Sequence, residues 1–329
     1  MADLPYSSVR DLKSAESQSG KAFASILVLR KVVTKTASNG NPFLSIELGD
    51  KTGSFGCTVF SDGPAYEPVR GAEEGAVLRV EGKIDSYQGR LSPKLTKASL
   101  VPAAELESPD VIANLVELPP EDPDVLWKEL NAFADAITHP ELRATVRNVM
   151  DDVGDSFRTS PAAISVHHAY RHGLLEHTVH MARACRALLP LYTDVDPELA
   201  MAGILLHDTG KTIEYEGSMA TKRGRRGILQ GHVVLGYQLV RKAAIKARLD
   251  AERTERLEHI ILSHQGQLEW GAAALAATPE AVFVSMIDNL DAKMGAVQRT
   301  LRNAPDGGEF SERLIALDTQ LLLKGLPPA

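Results

Sequence analysis

The chain has 329 residues, 44% of them hydrophobic, a formal net charge of −7 and two cysteines. That length fits two domains or one large one, and the apolar share supports a sizeable core. The acidic total excludes a general basic coat for nucleic acid. The distant pair Cys57 and Cys185 excludes a disulfide framework or zinc ribbon, and no run approaches the roughly 20 apolar residues of a membrane helix. The polar N-terminus lacks an apolar signal core, so a reducing cytoplasm is the expected compartment.

Residues 1–20 read as a flexible lead. From 21 to 102 the pattern is β: "FLSIEL" (43–48), "FGCTVF" (55–60) and "AVLRVEGKI" (76–84) alternate with period two between Gly, Asn, Asp and Pro turns. Several short strands in so few residues imply a small barrel or sandwich. Leu44, Ile46 and Leu48 share one face, as do Phe55, Cys57 and Val59, and these are the expected core. Phe43 and Phe60 then point the other way. With Lys35, and with Tyr87 in the turn "SYQGR", they are candidates for a platform that stacks nucleic-acid bases. Packing against another domain is the competing use of the same rings.

Residues 103–124, including "ELPPEDPD", read as a linker. From 125 to 322 the periodicity is helical in "DVLWKELNAFADAI", "ELRATVRNVMDDV", "LLEHTVHMARACRALL", "PELAMAGILLHD", "HVVLGYQLVRKAAIKA", "ERLEHIILSH" and "PEAVFVSMIDNLDAKMGAVQRTL". A tail, 323–329, follows. The fold class is therefore a small N-terminal β-barrel domain ahead of an all-α helical bundle.

Nine of the ten histidines lie between His167 and His264. His177, His207, His232 and His264, with Asp208 and Asp288, sit on helices rich in Leu, Ile, Val and Ala. An ionised Asp in such surroundings costs several kcal/mol unless it is paired or binds metal. Imidazole and carboxylate projecting inward from several helices make a metal site in a bundle, and the mixture suits first-row divalent ions.

The order H…HD…H…H…D, carried by "HHAYRHGLLEHTVHMA", "AGILLHDTGK", "ILQGHVVLG", "HIILSHQGQLEWG" and "IDNLDAKM", resembles the HD superfamily of metal-dependent phosphohydrolases. With "TASNGNPFLSIELGDKTG" ahead of it, the chain more closely resembles the YhaM-type 3′→5′ exoribonucleases, which place an OB-fold before the HD domain. The resemblance implies that His177, His207, Asp208 and Asp288 hold one ion. Asp208 would bridge to a second ion shared with His232 and His264. The implied cofactor is one or two divalent ions, manganese first, with iron, nickel, cobalt or zinc as alternatives. Asp208 and Lys211 are the expected catalytic residues, with Lys211 on a phosphate oxygen. His167 and His168 match the family's "HH" and are expected at the substrate. Arg223 and Arg225, in "TKRGRRG" (221–227), are expected on a flexible basic loop that draws in a strand. His180, His259 and Asp291 are expected to be supporting or structural. His139 and His172 carry no assignment. The family often has "SHHG" where this chain has "SHQG", so Gln265 stands in place of an imidazole.

The implied reaction is metal-dependent 3′→5′ hydrolysis of single-stranded RNA, with DNA as a further substrate, releasing nucleoside 5′-monophosphates. The expected partner is single-stranded nucleic acid, with no membrane, and a homo-oligomer is left open. Two alternatives stand beside it: an HD-type nucleotide or cyclic-nucleotide phosphohydrolase whose OB domain serves assembly, and a non-catalytic RNA-binding protein.

Overall fold

The alternating runs form strands as expected. β2 (Pro42–Asp50) buries Leu44, Ile46 and Leu48, and β3 (Gly53–Phe60) buries Phe55, Cys57 and Val59. Together with β1 (Ala22–Thr36), β4 (Val77–Lys83) and β5 (Lys94–Leu100) they make one antiparallel sheet in the order β3-β2-β1-β4-β5. β1 serves two partners. Its first half pairs with β4 from Ala22 opposite Lys83 to Val28 opposite Val77. Pairing with β2 begins at Val28 and Leu29, opposite Gly49 and Leu48, and continues from Lys31 past an irregularity between Leu29 and Lys31. Such a bulge bends a strand, and it lets one long strand change partners and wrap a core.

The computed structural model describes residues 6–15, 19–88, 90–106, 108–164, 168–217, 219–304 and 308–324. They divide into two units, Met1–Glu117 with Gly217–Thr221, and Leu118–Glu216 with Lys222–Ala329. The first unit departs from expectation at both ends. Within the lead read as flexible, a helix covers Val9–Ser14, capped by the Ser8 hydroxyl, with Val9 and Leu12 buried in the β core. Residues 103–124 are not a bare linker: Leu115 is buried with Val28, Val77 and Val101, which draws the chain into the first unit as far as Glu117.

The second unit is helical over most of its length: α1 (Pro123–Asp135), α2 (Pro140–Thr159), α3 (Gly173–Leu188), α4 (Pro197–Leu206), α5 (Arg225–Ala247), α6 (Ala251–Ser263) and α7 (Pro279–Asn303), but the range expected to be all-α ends in a β-hairpin, Phe310–Leu314 paired with Thr319–Leu322. Three starts share one device. Asp122, Asp196 and Thr278 cap the backbone N–H groups of α1, α4 and α7, each followed by proline at the first helical position. His139 does the same for α2, accepting from the Leu142 N–H. α4 has no polar face, and residues 199–206 are all buried, so it is the centre of the bundle. Among the described residues no helix is long and apolar enough to cross a membrane.

Candidate metal centre

α4 delivers His207 as its C-terminal cap and Asp208 one residue later. The chain then turns into a short helix, Lys211–Glu214. At the helix end the Leu206 carbonyl accepts from both the Thr209 N–H at 3.2 Å and the Thr209 hydroxyl at 2.8 Å. Gly210 permits the turn to meet α5: a Cβ there would lie 2.0 Å from the His232 carbonyl oxygen and 2.5 Å from the Gly236 nitrogen. In α5, Gly231 breaks the helix with a left-handed φ of 71° immediately before His232, a conformation glycine adopts at little cost. His177 comes from α3, His264 caps the end of α6, and Asp288 lies in α7.

All four imidazoles are held the same way. His177 Nδ1 lies 2.7 Å from Asp291 Oδ2, and His232 Nδ1 lies 2.8 Å from Glu214 Oε2. His207 Nδ1 donates to the Ile204 carbonyl at 2.8 Å and His264 Nδ1 to the Ile261 carbonyl at 2.7 Å. With the proton on Nδ1, each ring turns a lone pair on Nε2 inward, the arrangement that outer hydrogen bonds impose on metal-binding histidines.

Asp208 lies between two imidazole pairs. Its Oδ2 is 3.2 Å from His207 Nε2, 3.8 Å from His177 Nε2 and 2.5 Å from Lys211 Nζ. Its Oδ1 is 3.5 Å from both His232 Nε2 and His264 Nε2, and it accepts no hydrogen bond although fully buried. His177 Nε2 also lies 3.2 Å from His207 Nε2 and 3.3 Å from Asp288 Oδ1. Lone pairs of nitrogen and carboxylate oxygen facing one another at these distances repel unless a cation sits among them. The donor set is imidazole and carboxylate, so the residues fit a divalent transition ion in each group: His177, His207 and Asp208, with Asp288 beside His177, and Asp208, His232 and His264.

The ionisation behaviour agrees. Burial opposes charge on His177, yet Asp288 and Asp291 outweigh it and raise the imidazole to about 10. Burial would raise Asp288, but hydrogen bonding to His177 and the charges of His207, His177 and His264 lower it to about 2. Asp208 is likewise held well below its ordinary value against burial, by the charges of Lys211 and His207. Without metal, a proton takes the cation's place.

Of the residues expected at the substrate, His167 lies outside the described residues. His168 is buried with both ring nitrogens engaged, Nδ1 on Glu176 Oε2 at 2.8 Å and Nε2 on Asp291 Oδ2 at 3.0 Å. Its place is behind His177, not at a phosphate. His168, His177 and Asp291 also bring donor atoms together, but as mutual hydrogen bonds. Lys211, expected on a phosphate oxygen, is buried with its ammonium paired to Asp208 Oδ2. The expected flexible basic loop is structured: Lys222–Arg223 pairs with Tyr215–Glu216, and α5 begins at Arg225. Arg223 Nε reaches Glu214 Oε1 at 3.1 Å, so it backs the carboxylate that holds His232, while Arg225 is exposed on the first turn of α5.

His180 Nδ1 lies 3.5 Å from Asp291 Oδ1. His259 Nε2 accepts from the Ala277 N–H, and His172 Nδ1 donates to the Arg158 carbonyl. Sequence reasoning missed Glu214, Glu176, Tyr170 and Gly210. Nothing marked them: Glu214 acts through His232, Glu176 and Tyr170 through His168, and Gly210 through the lack of a side chain.

In the β unit, Lys35 is the register partner of Phe43, and Phe43 of Phe60, so the three form one row across β1, β2 and β3. The two rings are tilted at 43° with centroids 6.1 Å apart, and Phe60 is 58% exposed. Tyr87 is 70% exposed on the hairpin Ser86–Tyr87/Arg90–Leu91.

Comparison with known proteins follows the same division. Residues 28–101 match the OB-fold nucleic acid binding domain family, and residues 174–293 match the HD domain family. A 3′-5′ exoribonuclease YhaM from Shouchella clausii is 33% identical over 305 residues, 93% of this chain and 94% of that protein. Among solved structures, the yeast mitochondrial single-stranded DNA binding protein Rim1 aligns with 25% of this chain and 94% of its own, at 17% identity and a TM-score of 0.21. An aspartyl tRNA synthetase from Entamoeba histolytica aligns with 58% of this chain and 37% of its own, at 12% identity and a TM-score of 0.25.

Proposed function

The chain belongs to the YhaM 3′-5′ exoribonuclease family, an HD-domain hydrolase behind an OB-fold, and on that premise we propose that it shortens single-stranded RNA from the 3′ end with two divalent ions, preferentially Mn²⁺, releasing nucleoside 5′-monophosphates. The observation that carries this is Asp208: one carboxylate turns a different oxygen to each of two imidazole pairs, and one of those oxygens is buried without a hydrogen bond. When bound, paired divalent ions activate water and neutralise charge developing on a phosphodiester.

The protein's own contribution is preorganisation. Asp291, Glu214 and the carbonyls of Ile204 and Ile261 fix the four rings. Lys211 fixes Asp208 and offsets its charge. The row Lys35, Phe43 and Phe60 offers stacking faces and a cation to successive nucleotides, which supports a polymeric substrate over a free nucleotide. Tyr87 and Arg225 are further strand contacts in this reading. A cytoplasmic location agrees with two free, buried cysteines.

The test is a 3′-labelled single-stranded oligonucleotide, RNA and DNA in parallel, with Mn²⁺. Labelled mononucleotide should appear first and faster from RNA, and Asp208→Asn should abolish it. Absence of mononucleotide, or undiminished release by the variant, would overturn the reading.

A further inference from the structure

Gln265 stands beside the second imidazole pair. His264 caps α6 and Gly266, at φ 78°, turns the chain directly afterwards, so Gln265 is held on the turn next to the ligands. Its amide nitrogen lies 3.2 Å from His232 Nε2 and 3.0 Å from His264 Nε2. His264 commits its Nδ1 proton to the Ile261 carbonyl, and His232 sets Nδ1 2.8 Å from the Glu214 carboxylate, so both rings turn Nε2 toward the amide and its NH₂ caps two lone pairs.

An ion on those lone pairs removes the acceptors on which the amide depends. Rotation about the terminal bond exchanges nitrogen for oxygen at nearly the same position. Donor atoms about 2.1 Å from one ion and at right angles lie about 3.0 Å apart. The amide atom already has that spacing from both imidazole nitrogens.

Resting on the two-ion reading, we propose that Gln265 ligates the second ion through its amide oxygen, alongside Asp208, His232 and His264. The first site has two imidazoles and two carboxylates. The second has two imidazoles, a share of one carboxylate and a neutral amide. It therefore carries less negative charge and a harder oxygen donor, binds more weakly than the first, and prefers Zn²⁺ over Mn²⁺ or Mg²⁺ less strongly than it would with an imidazole at position 265. The replacement of imidazole by amide in "SHQG" changes the selectivity of the site and does not abolish it.

The test uses full-length protein stripped of metal, titrated with Mn²⁺ alone and followed by the electron paramagnetic resonance of the free ion. Wild type should show one tight and one weak class. Gln265→Ala should loosen the weak class at least about tenfold and leave the tight class unchanged, since even an outer partner of a ligand is worth 10–100-fold. Gln265→His should keep both classes and shift Zn²⁺ over Mn²⁺ competition at the weak one about tenfold toward Zn²⁺. If His264→Ala removes the weak class but Gln265→Ala leaves it unchanged or tighter, the amide only caps the lone pairs and the ligand assignment is overturned. If His264→Ala leaves both classes in place, the two-ion reading falls and takes this proposal with it.

Discussion

At the residue scale, Asp291 carries the supporting role expected of it, through three histidines, His168, His177 and His180. It lies three residues from Asp288 on α7, yet it touches the outer nitrogen of His177 while Asp288 faces the inner one. Asp291→Asn should therefore weaken Mn²⁺ binding about 10–100-fold by equilibrium dialysis while the protein still folds. The same cluster sets a pH dependence for the metal-free chain. Burial would raise Asp291, but His168, His177 and His180 hold it well below the ordinary range; Glu176 is lowered against burial by His168 and Tyr170. A carboxyl lowered by folding adds stability above its unfolded value and loses it as acid protonates it. His177, raised from 6.5 to about 10, adds stability that is complete below 6.5 and is lost as pH rises through about 10. Thermal stability of the helical unit in chelator should thus peak between about pH 5 and 6.5 and fall on both sides. A flat profile from 6.5 to 10 would contradict the pairing of His177 with its two carboxylates.

At the element scale, the site depends on a helix that cannot be moved and a turn that cannot be enlarged. α4 is buried on every side, and Gly210 sits in backbone contact with α5. Gly210→Ala should push the turn from His232, costing about 1–3 kcal/mol of stability in chemical denaturation and loosening metal at the second imidazole pair first. In the sheet, Phe60→Ala should weaken binding of a long single strand by about 1–3 kcal/mol in fluorescence anisotropy, while hydrolysis of a dinucleotide hardly changes. These elements differ in how plainly they were written. β2 and β3 alternate because one face is core and the other is not, so period two is visible. In its first half β1 buries Phe23, Ala24 and Ser25 and then Leu27, Val28 and Leu29, enclosed on both faces, and no alternation survives to be read. The helix Val9–Ser14 is too short for a period, and only Val9 and Leu12 carry its packing.

At the scale of the whole molecule, metal and folding are one equilibrium for the helical unit. Ions that bind only the folded site stabilise it by about 2.7 kcal/mol at a hundredfold excess over the dissociation constant. Calorimetry should show a Mn²⁺-dependent transition, reversed by chelator, and Asp208→Asn should remove the dependence. The inner imidazoles and carboxylates stood out in the sequence because charged groups inside apolar helices require a reason. Of their outer partners only Asp291 was singled out, as supporting or structural; an acceptor such as the Ile261 carbonyl is present at every residue and gains meaning only where the chain ends a helix beneath a ring. That division has an evolutionary consequence. In each imidazole pair one ring leans on a main-chain carbonyl, which no point mutation can delete, and the other on a side chain, Asp291 or Glu214. Inheritance therefore exposes half of the scaffold to drift and shields the other half. A lineage abandoning the activity while keeping its inner ligands should first accumulate changes at positions 214 and 291, leaving a protein whose signature motif remains intact over a centre that no longer holds its ions.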